Sequence, residues 1–197
     1  MEDTLSGKAS KLEIKNNNTF SKIKKVPENY TSVTPWIISK SSEKLIEFLK
    51  AAFEAKEIPK SKIKNEQGVI IHVVVKIGDA MVMLFDSKEG WNPTPSFLNL
   101  YVEDVEKAYQ KALQLGATSV TDITSLWFGE KVCRILDPFG NLWWINERIE
   151  EVDLTNLEEV KKRSTTPEAV KDIEYIQKSL DEAMKRQKDF FKNKVEF

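Results

Sequence analysis

A single imidazole bounds the chemistry open to this chain. His72 is the only histidine and Cys133 the only cysteine among 197 residues. Protein-held zinc, nickel or non-haem iron usually draws on two or more such ligands. A metal centre would therefore rest on carboxylates and one ring. An imidazole of near-neutral pKa can shuttle protons, so His72, with Lys76 four positions on, is the candidate catalytic residue. The reading of it as a hydrogen-bonded polar liner is favoured over that of a general base, because no nearby carboxylate is guaranteed to orient it. Asp79 and Asp137 read as turn residues. No Ser-His-Asp set, glycine-rich phosphate loop or Cys-X-X-Cys pair is present. Cys133 reads as a small buried apolar side chain; standing alone, it rules out an internal disulfide and fits a reducing compartment.

The elements that position these residues follow from periodicity. Gly68 to Asp86 is a hairpin turning at Gly78-Asp79, which pairs Ile77 with Ala80, Val75 with Val82 and Val73 with Leu84 on one wholly apolar face. The other face holds His72, Val74, Lys76, Met81, Met83 and Phe85, a mixture suited to a partly wet cleft. Before the hairpin come a strand from Val33 to Ile38, a helix capped by Ser41 or Ser42 with Leu45, Ile46, Leu49, Ala52 and Phe53 as its stripe, and a polar connection through Lys60-Ser61-Lys62.

The same order recurs from Pro95 to Arg148. A strand over Phe97–Val102 leads to a helix with Val105, Ala108, Tyr109, Ala112 and Leu115 on one side, stopped by Gly116. Strands over Ser119–Phe128 and Lys131–Leu136 follow, and Asp137-Pro138-Phe139-Gly140 reverses the chain into a last strand rich in Trp and Ile. Shifting by 63 residues places Glu43-Lys44 on Glu106-Lys107 and Thr34 on Phe97. This is a duplicated βαβββ unit, 33–86 and 95–148, joined by a linker over Ser87–Pro95. The fold class is α+β: two tandem βαβββ modules forming a cupped mixed sheet around a cleft, plus a C-terminal helical extension.

Composition sets the frame. Residues 1–29, rich in Lys, Asn and Ser, read as an N-terminal tail, 30–150 as the two-module domain and 151–197 as the extension. In the extension, Thr155 with Glu158 reads as a capping box. Thr166-Pro167-Glu168 opens a long helix striped by Val170, Ile173, Ile176, Leu180, Ala183 and Met184, which must pack on the domain or on a partner subunit. With 30 basic and 31 acidic residues, the global field steers neither nucleic acid nor an anionic membrane. No apolar run approaches the roughly 20 residues of a membrane span, and the N-terminus lacks a signal-peptide pattern. The reading is a cytoplasmic protein.

These modules resemble the vicinal oxygen chelate superfamily of glyoxalase I, bleomycin-resistance proteins and extradiol dioxygenases, closest to its PhnB-like branch. The resemblance spans about residues 26–163 and rests on several motifs together. They are Val33-Thr34-Pro35-Trp36, Ile71-His72, Ile77-Gly78-Asp79, Leu100-Tyr101-Val102-Glu103-Asp104-Val105, Phe128-Gly129-Glu130, Arg134, and Asp137-Pro138-Phe139-Gly140 with Leu142-Trp143. In metal-using members the ligands come from the first and last strand of each half. Carried over, those positions are Thr34, Met83 (or Val82), Phe97 and Trp144, none a good ligand for a first-row metal. The resemblance thus implies no metal, no cofactor, and a homodimer. It also implies a cavity for a small organic ligand lined by Thr34, Trp36, His72, Lys76, Met83, Phe85, Phe97, Asn99, Tyr101, Trp144 and Asn146, with Arg134 and Glu130 near its mouth. The alternative, less favoured, is that Trp36, Phe97 and Trp144 merely fill a collapsed cavity. The alternative function is a metal-independent lyase or isomerase using His72.

Overall fold

The computed structural model describes residues 23–91 and 93–192, with side chains to Lys185. The tail expected over 1–29 lies outside the described residues up to position 22. Module one contains β1 (Trp36–Ser39), α1 (Ser42–Phe53), β2 (Lys56–Glu57), β3 (Ile63–Lys64), β4 (Ile70–Ile77) and β5 (Ala80–Asp86). Module two contains β6 (Phe97–Tyr101), α2 (Val105–Gln114), β7 (Thr118–Leu126), β8 (Glu130–Leu136) and β9 (Leu142–Arg148). Helices α3 (Leu157–Ser164) and α4 (Pro167–Lys192) follow. The architecture is α+β, two mixed sheets with helices.

Both sheets have one topology. Their orders are β1-β5-β4-β2, with β3 also on β4, and β6-β9-β8-β7, and in each the first strand runs parallel to the last. The helices begin at Ser42 and Val105, 63 residues apart, as the sequence shift requires. The hairpin register is the expected one, Ile77 opposite Ala80, Val75 opposite Val82 and Val73 opposite Leu84, with Gly78 at φ +57° in the turn.

One core serves both modules. The stripe of α1 (Leu45, Ile46, Leu49, Ala52, Phe53), Val105, Ala108, Tyr109 and Ala112 of α2, and the helix-facing sides of both sheets are buried together. Phe53 meets Trp143 at 4.9 Å and Phe48 meets Phe139 at 6.4 Å across the module boundary. Trp143 points to the helices and Trp144 away from them, as strand alternation demands. With α1 and α2 packed between the sheets, the faces opposite the helices lie outermost.

Several local expectations are corrected. The first strand begins at Trp36 rather than Val33, and Pro35 contributes only a carbonyl, to Met83 N at 3.0 Å. Ser41 holds the N-cap position of α1 without a side-chain bond; the Ser42 N–H is satisfied by Asp86 at 2.6 Å instead. Glu147 does the same for Val105 N of α2 at 2.9 Å. The polar connection contains β2 and β3, each paired with β4 and anchored by Lys62 to Glu43 and Glu57. Leu115, expected in the α2 stripe, is the exposed C-cap residue. Helix α3 is capped by Asn156, accepting from Glu159 N, rather than by Thr155, whose hydroxyl turns to Asp153.

The α4 stripe is rotated from its expected centre. Ala169, Ile176 and Ser179 are buried, whereas Val170 and Met184 are exposed. The helix packs on β7, so the domain itself covers the Ala169, Ile176 and Ser179 side of it.

Candidate functional site

The residues singled out above collect on the outer faces of the two sheets. On module one, Trp36 of β1 stands edge-on to His72 of β4 at 5.6 Å and to Phe85 of β5 at 5.5 Å, and Phe85 meets Trp91 of the linker at 6.4 Å. Met83 lies opposite Trp36 in the parallel pair and faces outward, while Val82 is in the core, so Met83 is the outer-face position of the two. Thr34 precedes β1 and is half-buried. The His72 Nδ1 lies 3.0 Å from the Ser61 carbonyl, an acceptor, so Nδ1 carries a proton and the ring is held by the backbone. Lys76 is four residues further along β4, on the same face by strand alternation. It lies with Tyr101 on a cleft of about 1420 Å³ between the modules, bordered by the end of α1 and the start of α2.

On module two, Phe97, Asn99 and Tyr101 of β6 point outward beside Trp144 and Asn146 of β9. Asn146 Nδ2 donates to Asn99 Oδ1 at 2.7 Å, and the Tyr101 hydroxyl donates to Glu130 at 3.3 Å. The Arg134 guanidinium stacks on the Trp144 ring, 3.9 Å from its centre. Arg134 is not at a mouth: it is 2% exposed, covered by α4, and donates to the Ile176 carbonyl and to Thr121 Oγ1 at 3.3 Å. Burial lowers its pKa.

Sequence reasoning had Ile176 only as part of the α4 stripe and Trp91 only as part of the linker, and missed Thr121 and Ser179. Thr121 falls within register shifts of β7 that break the alternation, and its hydroxyl bonds Ser179 at 2.7 Å. Ser179, a small polar residue three positions from Ile176 in an apolar helix face, was the available signal.

The metal positions of the resemblance do not fit a metal. Thr34 just before β1 and Met83 on β5 belong to module one, Phe97 and Trp144 to the sheet of module two, and their side chains offer a weak hydroxyl, a soft thioether and two rings. The one carboxylate cluster among the described residues, Asp104, Glu106 and Glu147, is already engaged. Asp104 caps Lys107 N, Glu147 caps Val105 N, and Glu106 pairs with Lys131. Cys133 is in the core, where burial pushes its thiol up to about 12, so it is inert. Asp137 is a turn anchor accepting four hydrogen bonds.

A model of the glyoxalase/bleomycin resistance protein/dioxygenase superfamily matches residues 31–145. The chain belongs to that superfamily. An uncharacterised protein of Mycobacterium bovis is 27% identical over 138 residues, 64% of this chain and 90% of that protein. The crystal structure of TioX from Micromonospora sp. ML1 is similar at a TM-score of 0.50 and 17% identity, covering 60% of this chain and 99% of that one. A PhnB protein from Bacillus cereus, described as a putative 3-demethylubiquinone-9 3-methyltransferase, has a TM-score of 0.48 and 19% identity, covering 59% and 99%. No helix among the described residues is long and apolar enough to cross a membrane.

Proposed function

We propose that residues 30–150 form a binding domain for a small organic ligand, held in a cytoplasmic homodimer without a divalent metal. The single observation that carries this reading is the pair of bare aromatic edges. Strands β1 and β6 are the outer strands of their sheets, and Trp36, Phe97 and Tyr101 on them are 44%, 51% and 55% exposed. Exposed rings of that size on sheet faces mark a surface meant to be covered. A second copy that sets module one against the partner's module two would join the Trp36, His72 and Phe85 face to a Phe97, Asn99 and Tyr101 face and enclose a pocket.

The test is a melting scan of the protein against a library of metabolites and antibiotics, with sedimentation to give its mass. A dimer whose melting temperature climbs with the concentration of one compound class is expected. A monomer at working concentration, together with no responsive compound, would sink the reading. Equilibrium dialysis with zinc, nickel, manganese and iron tests the metal-free part, which a stoichiometric outer-face site would overturn.

The hydrogen bond from His72 Nδ1 to Ser61 favours a second reading. A ring fixed by a backbone carbonyl presents Nε2 as a ready base, as a metal-independent lyase or isomerase would require. His72→Ala separates the two readings: proton transfer would fall by orders of magnitude, whereas a binding protein would lose one lining contact and keep much of its affinity.

A further inference from the structure

Among the described residues, Arg134 is a buried charge without a partner of opposite sign. Its Nε–H and the Nε1–H of the Trp144 ring beneath it are both dry and without an acceptor. Two orphan donors on one stacked pair form a donor-rich, acceptor-poor spot, and a guanidinium stays protonated in such a place. If its task were only to hold α4 through the Ile176 carbonyl, a neutral amide would do so without burying an uncompensated cation. Around it lie Leu126, Phe128, Val132, Ile173 and Ile176, an apolar wall.

From this geometry we infer that the ligand is an acid with an apolar body, whose carboxylate binds the Nε–H edge of the Arg134 guanidinium when α4, which covers it through the Ile176 carbonyl on Nη1, moves aside. A carboxylate supplies the acceptor that the buried Nε–H lacks, and the apolar body matches the side chains packed with Trp144. Helix α4 then acts as the movable third wall of the pocket on module two. This inference rests on the ligand-binding reading above.

The experiment titrates the full chain by calorimetry with benzoate, 1-naphthoate and octanoate, each beside its primary amide. At least one acid should bind about tenfold more tightly than its amide. Arg134→Met should abolish that preference while the free variant melts at the same or a higher temperature, because an uncompensated charge has gone. Arg134→Lys, which keeps the charge but loses the fork, should weaken the preference and serves if Arg134→Met does not fold. Backbone amides of α4 should exchange faster with acid bound. Equal affinity for acid and amide, a preference unchanged in both variants, unchanged exchange in α4, or no binding by any of the three acids would overturn the inference. Equal binding of acid and amide would leave the ligand-binding reading standing, whereas silence across the wider library would remove that reading itself.

Discussion

Replacing Asp137 by alanine tests whether the Asp-Pro-Phe-Gly turn is held by its carboxylate or merely by its backbone. Asp137 is 3% exposed and accepts from Phe139 N at 2.9 Å, Asn141 N at 2.9 Å, Asn141 Nδ2 at 2.8 Å and Trp143 Nε1 at 2.9 Å. Phe139 N can turn to water, but the three donors from Asn141 and Trp143 belong to side chains and backbone that are dry. A buried donor left without an acceptor costs about 1–3 kcal/mol, and because the three share one loop their costs do not add fully. The expected destabilisation is about 3–5 kcal/mol, a large share of the roughly 5–15 kcal/mol that holds a domain together. Asn141 also accepts from Ser96 N at 3.0 Å, so the loss should spread to the inter-module linker. Urea unfolding at constant m-value measures it. Trp143→Phe in the same background removes one orphan donor, so the double variant should be less destabilised than the sum of the singles. A loss of under about 1 kcal/mol in Asp137→Ala, or strict additivity with Trp143→Phe, would refute the reasoning.

Two other perturbations have defined outcomes. Gly129 sits at φ +86°, and a Cβ there would lie 2.5 Å from the Glu150 carbonyl oxygen, so Gly129→Ala should cost about 2–4 kcal/mol in urea unfolding and loosen the chain entering α3. The Asp122 pKa is lowered first by the Tyr109 hydroxyl at 2.8 Å, then by Ser119, so its contribution to stability is present above the ordinary carboxylate value and is lost as pH falls below it. Asp122→Asn should therefore flatten the fall of the melting temperature below about pH 4 and leave the neutral plateau less stable, as melting curves across pH will show.

What the sequence disclosed is set by the range of the forces involved. The β4–β5 hairpin was legible to the residue because a period of two and a glycine at the turn fix register locally. The stripes of α1 and α2 were legible because each apolar residue has its neighbours one turn away. The cap of α1 was not, since its acceptor, Asp86, lies 44 residues on, and nothing local distinguishes it from any aspartate that ends a strand. Strands β2 and β3 were invisible for a related reason: two residues carry no period, and only β4 makes them strands.

The site divides along the same line. Alternation placed His72, Met83 and Phe85 on one face and Trp144 opposite Trp143, and all four lie so. The relation between modules had no local sign, because Phe53 and Trp143 each read as core of its own module and only their contact joins the two. The orientation of α4 was hidden for a chemical reason. Periodicity located an apolar stripe, but which edge of it docks was decided by polar groups. The bond from Arg134 to the Ile176 carbonyl and the Thr121–Ser179 hydroxyl pair turn Ser179 inward and leave Val170 and Met184 outside. A helix seated by a buried cation and a hydroxyl pair is held by directional bonds that a competing acceptor can take over. An all-apolar stripe offers no such exchange, so on the proposed reading the seat of α4, rather than the apolar α1–α2 layer, is where a ligand would act.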